Sequence, residues 1–398
     1  MLCLVGGFSI HLFCGCLYLW GNIEGYVVSH FHYGPKGTTG KGDTHVTPKS
    51  AAIVLPIMFW FQLPFNGVGA YYGKTQSPKL LITIGSVLML GSIFLASFVT
   101  NWTAFLSLYA VVYPIGIGIS YFPAMICGWE YFPERKGFVS GLILCGFGLG
   151  AFVFGFISTA LANPNNEKPG DDKFFPRDVA DNVPKMLQVC VAIWAVLCVI
   201  SVATVSRDPN LKKMQYLPKS SQDLQQNRDS TLTAQVYNQV EEEPIGIKEG
   251  ILTWRAAHIC ALLFFGLFYP LYIASVYKPI ADDVLSDSVL TAAGAIGGVC
   301  NGTSRLIWAT LMDKYGFKPV YGCLMTIQLI ISASIYSVRT YADLYPIWVG
   351  LSYFCEGGHF SLFATLSVQI FGLKNGGTIF SFIFVAVPLS STISWVLV

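Results

Sequence analysis

Ala309-Thr-Leu-Met-Asp-Lys-Tyr-Gly-Phe-Lys318 is a short polar loop between two apolar stretches, and it has a counterpart far upstream. Gly69-Ala-Tyr-Tyr-Gly-Lys-Thr-Gln-Ser-Pro-Lys79 occupies the same place relative to its own apolar flanks, 240 residues earlier. A second pair repeats the offset almost unchanged. Phe132-Pro-Glu-Arg-Lys-Gly137 parallels Phe371-Gly-Leu-Lys-Asn-Gly376, 239 residues apart. Two matches at one offset indicate a duplicated unit, and the apolar segments between the loops say what kind of unit it is.

The chain has 398 residues, of which 54% are hydrophobic and only 12% are Asp, Glu, Lys or Arg. That charged fraction is about half of what a soluble domain carries, too little polar surface to cover a core of this size. Composition excludes a cytosolic enzyme, a nucleic-acid binder and a disordered scaffold. A bilayer needs about 20 apolar residues per helix. On that scale spans fall at 2–28, 51–72, 80–99, 103–128, 138–161 and 185–205, then at 254–276, 288–311, 318–338, 343–370 and 376–397. Between the two sets, residues 206–253 carry a Ser/Gln/Asn run and Glu241 to Glu243, the composition of a solvated linker. The expected organisation is a bundle over 1–205, a cytoplasmic flexible linker over 206–253, and a bundle over 254–398. Duplication of a six-helix unit implies twelve spans, so with about eleven the twelfth is expected to be missing. Fourteen basic residues on the linker side against nine on the other favour a cytoplasmic N-terminus and linker. Which membrane is crossed is not legible.

The Ala309–Lys318 loop resembles the short-loop signature of the major facilitator superfamily, with Asp313 and Lys314 at its defining positions. The mechanical logic is that Asp313 caps a neighbouring helix N-terminus while Lys314 and Lys318 hold C-termini. In the first copy Gly73 stands where the acid would be. Within the superfamily the chain is similar to the oxalate/formate antiporter and monocarboxylate transporter group. Gly15-Cys-Leu-Tyr-Leu-Trp20, Tyr131-Phe-Pro-Glu-Arg-Lys-Gly137 with Gly146-Phe-Gly-Leu-Gly150, and Asn301-Gly-Thr-Ser-Arg305 before Trp308 carry that likeness. The resemblance implies an all-α integral membrane protein with the major-facilitator fold. It also implies that Arg305 binds a substrate carboxylate, with Asn301, Tyr18 and Tyr121 beside it, and that Asp313, Lys314 and Arg135 form a conformational latch.

Residue chemistry supports part of this directly. Arg305 is the one basic residue deep in a span, where a charge costs at least about 2.5 kcal/mol unless it faces a cavity or partner. Its planar fork matches a carboxylate bidentately. The structural alternative is an ion pair, with Glu356 the acid at comparable depth. Glu356 and His359 lie three apart on span ten and share a helix face; proton coupling and simple packing are both open for them. Cys14 and Cys16 form a CxC without further ligands nearby, so no metal site is expected. Gly146-x-Gly148-x-x-Ala151 lacks the strand a dinucleotide site requires, and no phosphate loop is present, so no cofactor is expected.

These readings converge on a secondary transporter, not an enzyme, that moves a small organic anion by alternating access. Protons are a candidate coupling ion, nucleic acid is not a partner, and an accessory subunit is an open question. A transport-inactive receptor or structural subunit, and a transporter of neutral solutes, are the rival readings.

Overall fold

The computed structural model describes residues 1–34, 42, 45–47, 51–170, 172–209, 245–281 and 283–397, and the structural statements below concern these. They are helical throughout, without a strand. Eleven long helices follow one another: α1 (Leu2–Tyr33), α2 (Val54–Tyr72), α3 (Pro78–Ala96), α4 (Trp102–Tyr131), α5 (Lys136–Ala162), α6 (Val183–Thr204), α7 (Trp254–Val276), α8 (Asp287–Tyr315), α9 (Phe317–Val338), α10 (residues 345–371) and α11 (Lys374–Leu397). Eight are long and apolar enough to cross a membrane. The other three, α2, α8 and α10, bury amides and ionisable side chains, among them Gln62, Asn66, Arg305, Glu356 and His359. The expected linker lies largely outside the described residues, since 210–244 are not among them.

Local chemistry sets the boundaries. Proline opens α3 at Pro78 and lies in the first turn of α6 and α10, where its missing N–H is not needed. Gly316 at φ +79° ends α8 and lets α9 start at once, and Gly372 at φ +78° separates α10 from α11. α1 runs five residues further than the sequence suggests, to Tyr33. The reason is packing: the 163–182 segment folds over its end. His32 stacks on Phe174 at 3.8 Å, Phe175 N–H donates to Ser29 Oγ, and His30 Nδ1 bonds Ala180 O.

In the first half, α1 packs on α4, α5 and α6, α4 packs on α2 and α3, and α3 packs on α6. In the second, the helical stretch Tyr345–Ile383 packs on α7, α8 and α9, and α7 packs on α11. Two seams join the halves. α5 lies along α8, and α2 lies along the helical stretch Tyr345–Ile383 and α11.

Candidate functional site

α5 is the helix around which the centre is built. Its Gly146-Phe-Gly-Leu-Gly150 run turns glycine to both neighbours. A Cβ on Gly146 would meet Phe8 O of α1 at 2.5 Å, and one on Gly148 would meet Gly302 Cα of α8 at the same distance. Only glycine permits backbones this close. Phe147, between them, projects into the space among α1, α5 and α8. Opposite, Gly15 presses against the Phe147 carbonyl, and α1 tightens there into a 3₁₀ turn, Gly15–Leu19, that carries Tyr18. The Tyr18 ring meets Phe147 and Phe59 edge-on at 5.9 Å each.

Arg305 enters from α8 and is fully buried. Phe147 and Phe360 lie 5.3 and 4.8 Å from its Cζ, so a ring from each half flanks the guanidinium. Such contacts contribute about 0.5–2 kcal/mol when desolvated. Nε and Nη2 both donate to Asn301 Oδ1, at 3.1 and 3.0 Å. Nη1 is buried with no partner among the described residues. No carboxylate there forms an ion pair with Arg305, although Glu356 Oε2 is also buried and unpartnered. The ion-pair alternative therefore does not describe this site. The structure holds a buried cation with one edge committed to Asn301 and one nitrogen, Nη1, without a partner among the described residues.

The remaining expected residues separate into two groups. Tyr18, Tyr121, Asn301 and Arg305 come together: Tyr121 lies 5.9 Å from Phe147, the ring that covers the guanidinium. Glu356 faces the same centre, close enough to Arg305 and Tyr18 to interact with both. His359 does not join it. Its Nε2 donates to Gln328 Oε1 at 2.9 Å, and the Gln328 amide donates to Gly266 O at 2.9 Å. Three positions along one helix give a shared face, yet the two side chains reach different neighbours, Glu356 towards α8 and His359 towards α7 and α9. Sequence reasoning also missed His11. It is fully buried, its ring 5.1 Å from Tyr121 and 6.4 Å from Phe147. An ionisable residue two turns before Tyr18, between apolar neighbours, was the signal available.

At the loop face Asp313 behaves as the motif logic requires. Its Oδ1 and Oδ2 accept from Gly137 N–H and Phe138 N–H, at 2.9 and 2.7 Å, capping the first turn of α5 across the seam. Lys314 places its ammonium 5.0 Å over Tyr315. Arg135 is exposed and its side chain forms no hydrogen bond or ion pair with the described residues. In the first copy the arrangement is rebuilt. Arg207 donates to Gly73 O at 2.5 Å and pairs with Glu130 at 3.0 Å, and Lys74 Nζ donates to Thr378 Oγ1 of α11 at 2.8 Å. Burial, with Lys374 nearby, pushes the Lys74 ammonium down to about 8.

The profile of the major facilitator superfamily matches residues 7–395. The chain belongs to the major facilitator superfamily. It is 24% identical to apicoplast pyruvate carrier 1 of Toxoplasma gondii over 96% of this chain and 80% of that protein. It is 22% identical to the oxalate:formate antiporter of Oxalobacter formigenes over 81% and 69%. Among solved structures it superposes on the proton:xylose symporter XylE bound to 6-bromo-6-deoxy-D-glucose, with a TM-score of 0.71 at 16% identity, covering 99% of this chain and 86% of that one. That likeness shows the fold. The protein is thus a multi-pass integral membrane protein of a transporter family, with a small-molecule substrate and the lipid bilayer as its surroundings.

Proposed function

We propose that the protein is a secondary transporter of a small organic anion, with Arg305 as the group that receives the substrate carboxylate. The observation that carries this reading is the uncommitted Nη1 of a fully buried guanidinium, flanked by Phe147 from one half and Phe360 from the other. A buried cation with no carboxylate within ion-pair distance among the described residues is costly, and an anionic substrate reduces that cost. Because rings from both halves contact the same cation, occupancy of Arg305 biases how the halves sit against each other, which alternating access requires. The pyruvate carrier and oxalate:formate antiporter among the relatives carry carboxylates by name, which supports the same class.

Asp313 is the latch residue of this mechanism, and the linker and N-terminus are assigned to the cytoplasmic side with it. The 1–205 and 254–398 bundles are the moving bodies. Glu356 is the proton-coupling candidate, since it faces Arg305, whereas His359 holds α9 and α7 to α10. Arg305→Ala in proteoliposomes tests the reading: carboxylate uptake is abolished while the protein remains monodisperse. Retained uptake by the folded variant removes Arg305 from the site.

A further inference from the structure

The centre holds a buried acceptor that a plain carboxylate cannot satisfy. Arg305 Nη1 donates and the Tyr18 hydroxyl can donate, and both are unpartnered. A substrate carboxylate, which only accepts, answers both. His11 is different. Its Nδ1 lies 2.9 Å from Gly7 O, a carbonyl that can only accept, so the neutral ring carries its proton on Nδ1 and presents Nε2 as a lone pair. That Nε2 is fully buried and meets no donor among the described residues. It adjoins the same centre: the ring neighbours Tyr121 and also Phe147, the aromatic that covers the Arg305 guanidinium. A carboxylate oxygen brought against this nitrogen would set lone pair against lone pair. A hydroxyl would donate to it.

Resting on the anion-transport reading above, we infer that His11 determines specificity by accepting a hydrogen bond from a hydroxyl on the substrate, so that the preferred anion is a hydroxy-carboxylate. The carboxylate occupies Arg305, and the hydroxyl satisfies the acceptor on α1. A ketone or ether at the same carbon offers no donor and leaves Nε2 buried and unsatisfied. The substrate then bridges α1 of one half and α8 of the other through two different functional groups.

The test is competitive uptake into proteoliposomes of the full chain with lactate, pyruvate and 2-methoxypropanoate, which share a carboxylate and differ at one carbon. The wild type should prefer lactate over each of the other two by about tenfold or more, the size of an effect expected when a buried polar group loses its partner. His11→Leu should bring these ratios to about one. His11→Gln, whose amide oxygen accepts, should restore part of the preference. Equal handling of lactate and 2-methoxypropanoate by the wild type overturns the inference, and that comparison stands even where a His11 variant fails to fold. A preference that persists in folded His11→Leu overturns it as well. Uptake of all three without preference leaves the anion-transport reading intact. Uptake of none, with these or other carboxylates, overturns that reading and the inference with it.

Discussion

Where α5 meets α8, backbone touches backbone; where α2 meets α11, side chains reach across. Along the first seam, a Cβ on Gly141 would lie 2.7 Å from Arg305 O and one on Gly148 would lie 2.5 Å from Gly302 Cα, and Asp313 closes the loop end with two charge-assisted hydrogen bonds. Along the second, a Cβ on Gly67 would sit 3.8 Å from Ser381 Cβ, an ordinary contact. There the halves are tied by Lys74 to Thr378 and by Trp60 to Thr392, at 2.8 and 3.0 Å. Both seams descend from one loop motif and one helix pairing. They differ in the glycines that line the first and, at the loop end, in Asp313 in one copy against Gly73 in the other. A carboxylate can cap two backbone N–H groups at once, and a lysine reaching a hydroxyl cannot. The α5–α8 seam is accordingly the stronger closure, and the α2–α11 seam is the one with less to break on opening.

The largest contrast should come from the loop ends. Asp313→Ala removes two charge-assisted bonds and should destabilise the protein by about 2–3 kcal/mol. Uptake should fall by about tenfold or more, since a factor of ten corresponds to about 1.4 kcal/mol. Lys74→Ala should reduce uptake by about fivefold or less, because one hydrogen bond at a part-exposed site contributes about 1 kcal/mol or less. Equal effects of the two variants, measured in the same vesicles, would remove the asymmetry. The next contrast is in the helices. Gly148→Ala should cost about 1–3 kcal/mol, since the new methyl group meets backbone that cannot rotate away. Gly67→Ala should stay within about 0.5 kcal/mol of wild type. Thermal unfolding in detergent reads both, and a neutral Gly148→Ala would show that α5 and α8 do not approach as described.

The smallest effect is a pH dependence at Lys74. Its folded-state value is depressed to about 8 from an ordinary 10.5, so between these two values the unfolded chain binds more protons than the folded one. Stability therefore rises with pH across that window, and below about pH 8 the charged ammonium opposes folding. Lys74 is only partly buried, so the shift in unfolding temperature should be modest. Lys74→Gln should flatten the curve between pH 8 and 10. An unchanged slope in the variant would assign the dependence to other groups.

Much of this architecture was legible because the signals were compositional. Apolar runs of bilayer length placed the helices, and a charge in such a run marked Arg305. The Asp313 cap followed from a loop motif whose mechanics are local. The centre was less legible because its geometry is tertiary. Phe147 and Phe360 are two aromatics among many until the fold sets them about one guanidinium. Glu356 and His359 share a face by spacing, yet α8 and α9 approach that face from different directions, and no periodicity records which helix arrives where. His11 was hidden by its surroundings: a single histidine in Ser9-Ile-His-Leu-Phe13 scarcely alters the hydropathy of the span. Its meaning depends on Gly7 O fixing the tautomer and on α5 bringing Phe147 alongside.

The central claim is that the buried guanidinium of Arg305 holds the carboxylate of the substrate. Equilibrium binding of a labelled carboxylate to purified wild type and to Arg305→Gln, matched for folded fraction by thermal unfolding, tests it most directly. Loss of charge-assisted hydrogen bonds worth about 1.5–3 kcal/mol predicts affinity weaker by about 10- to 100-fold in the variant. Equal affinity in the two proteins would contradict the account.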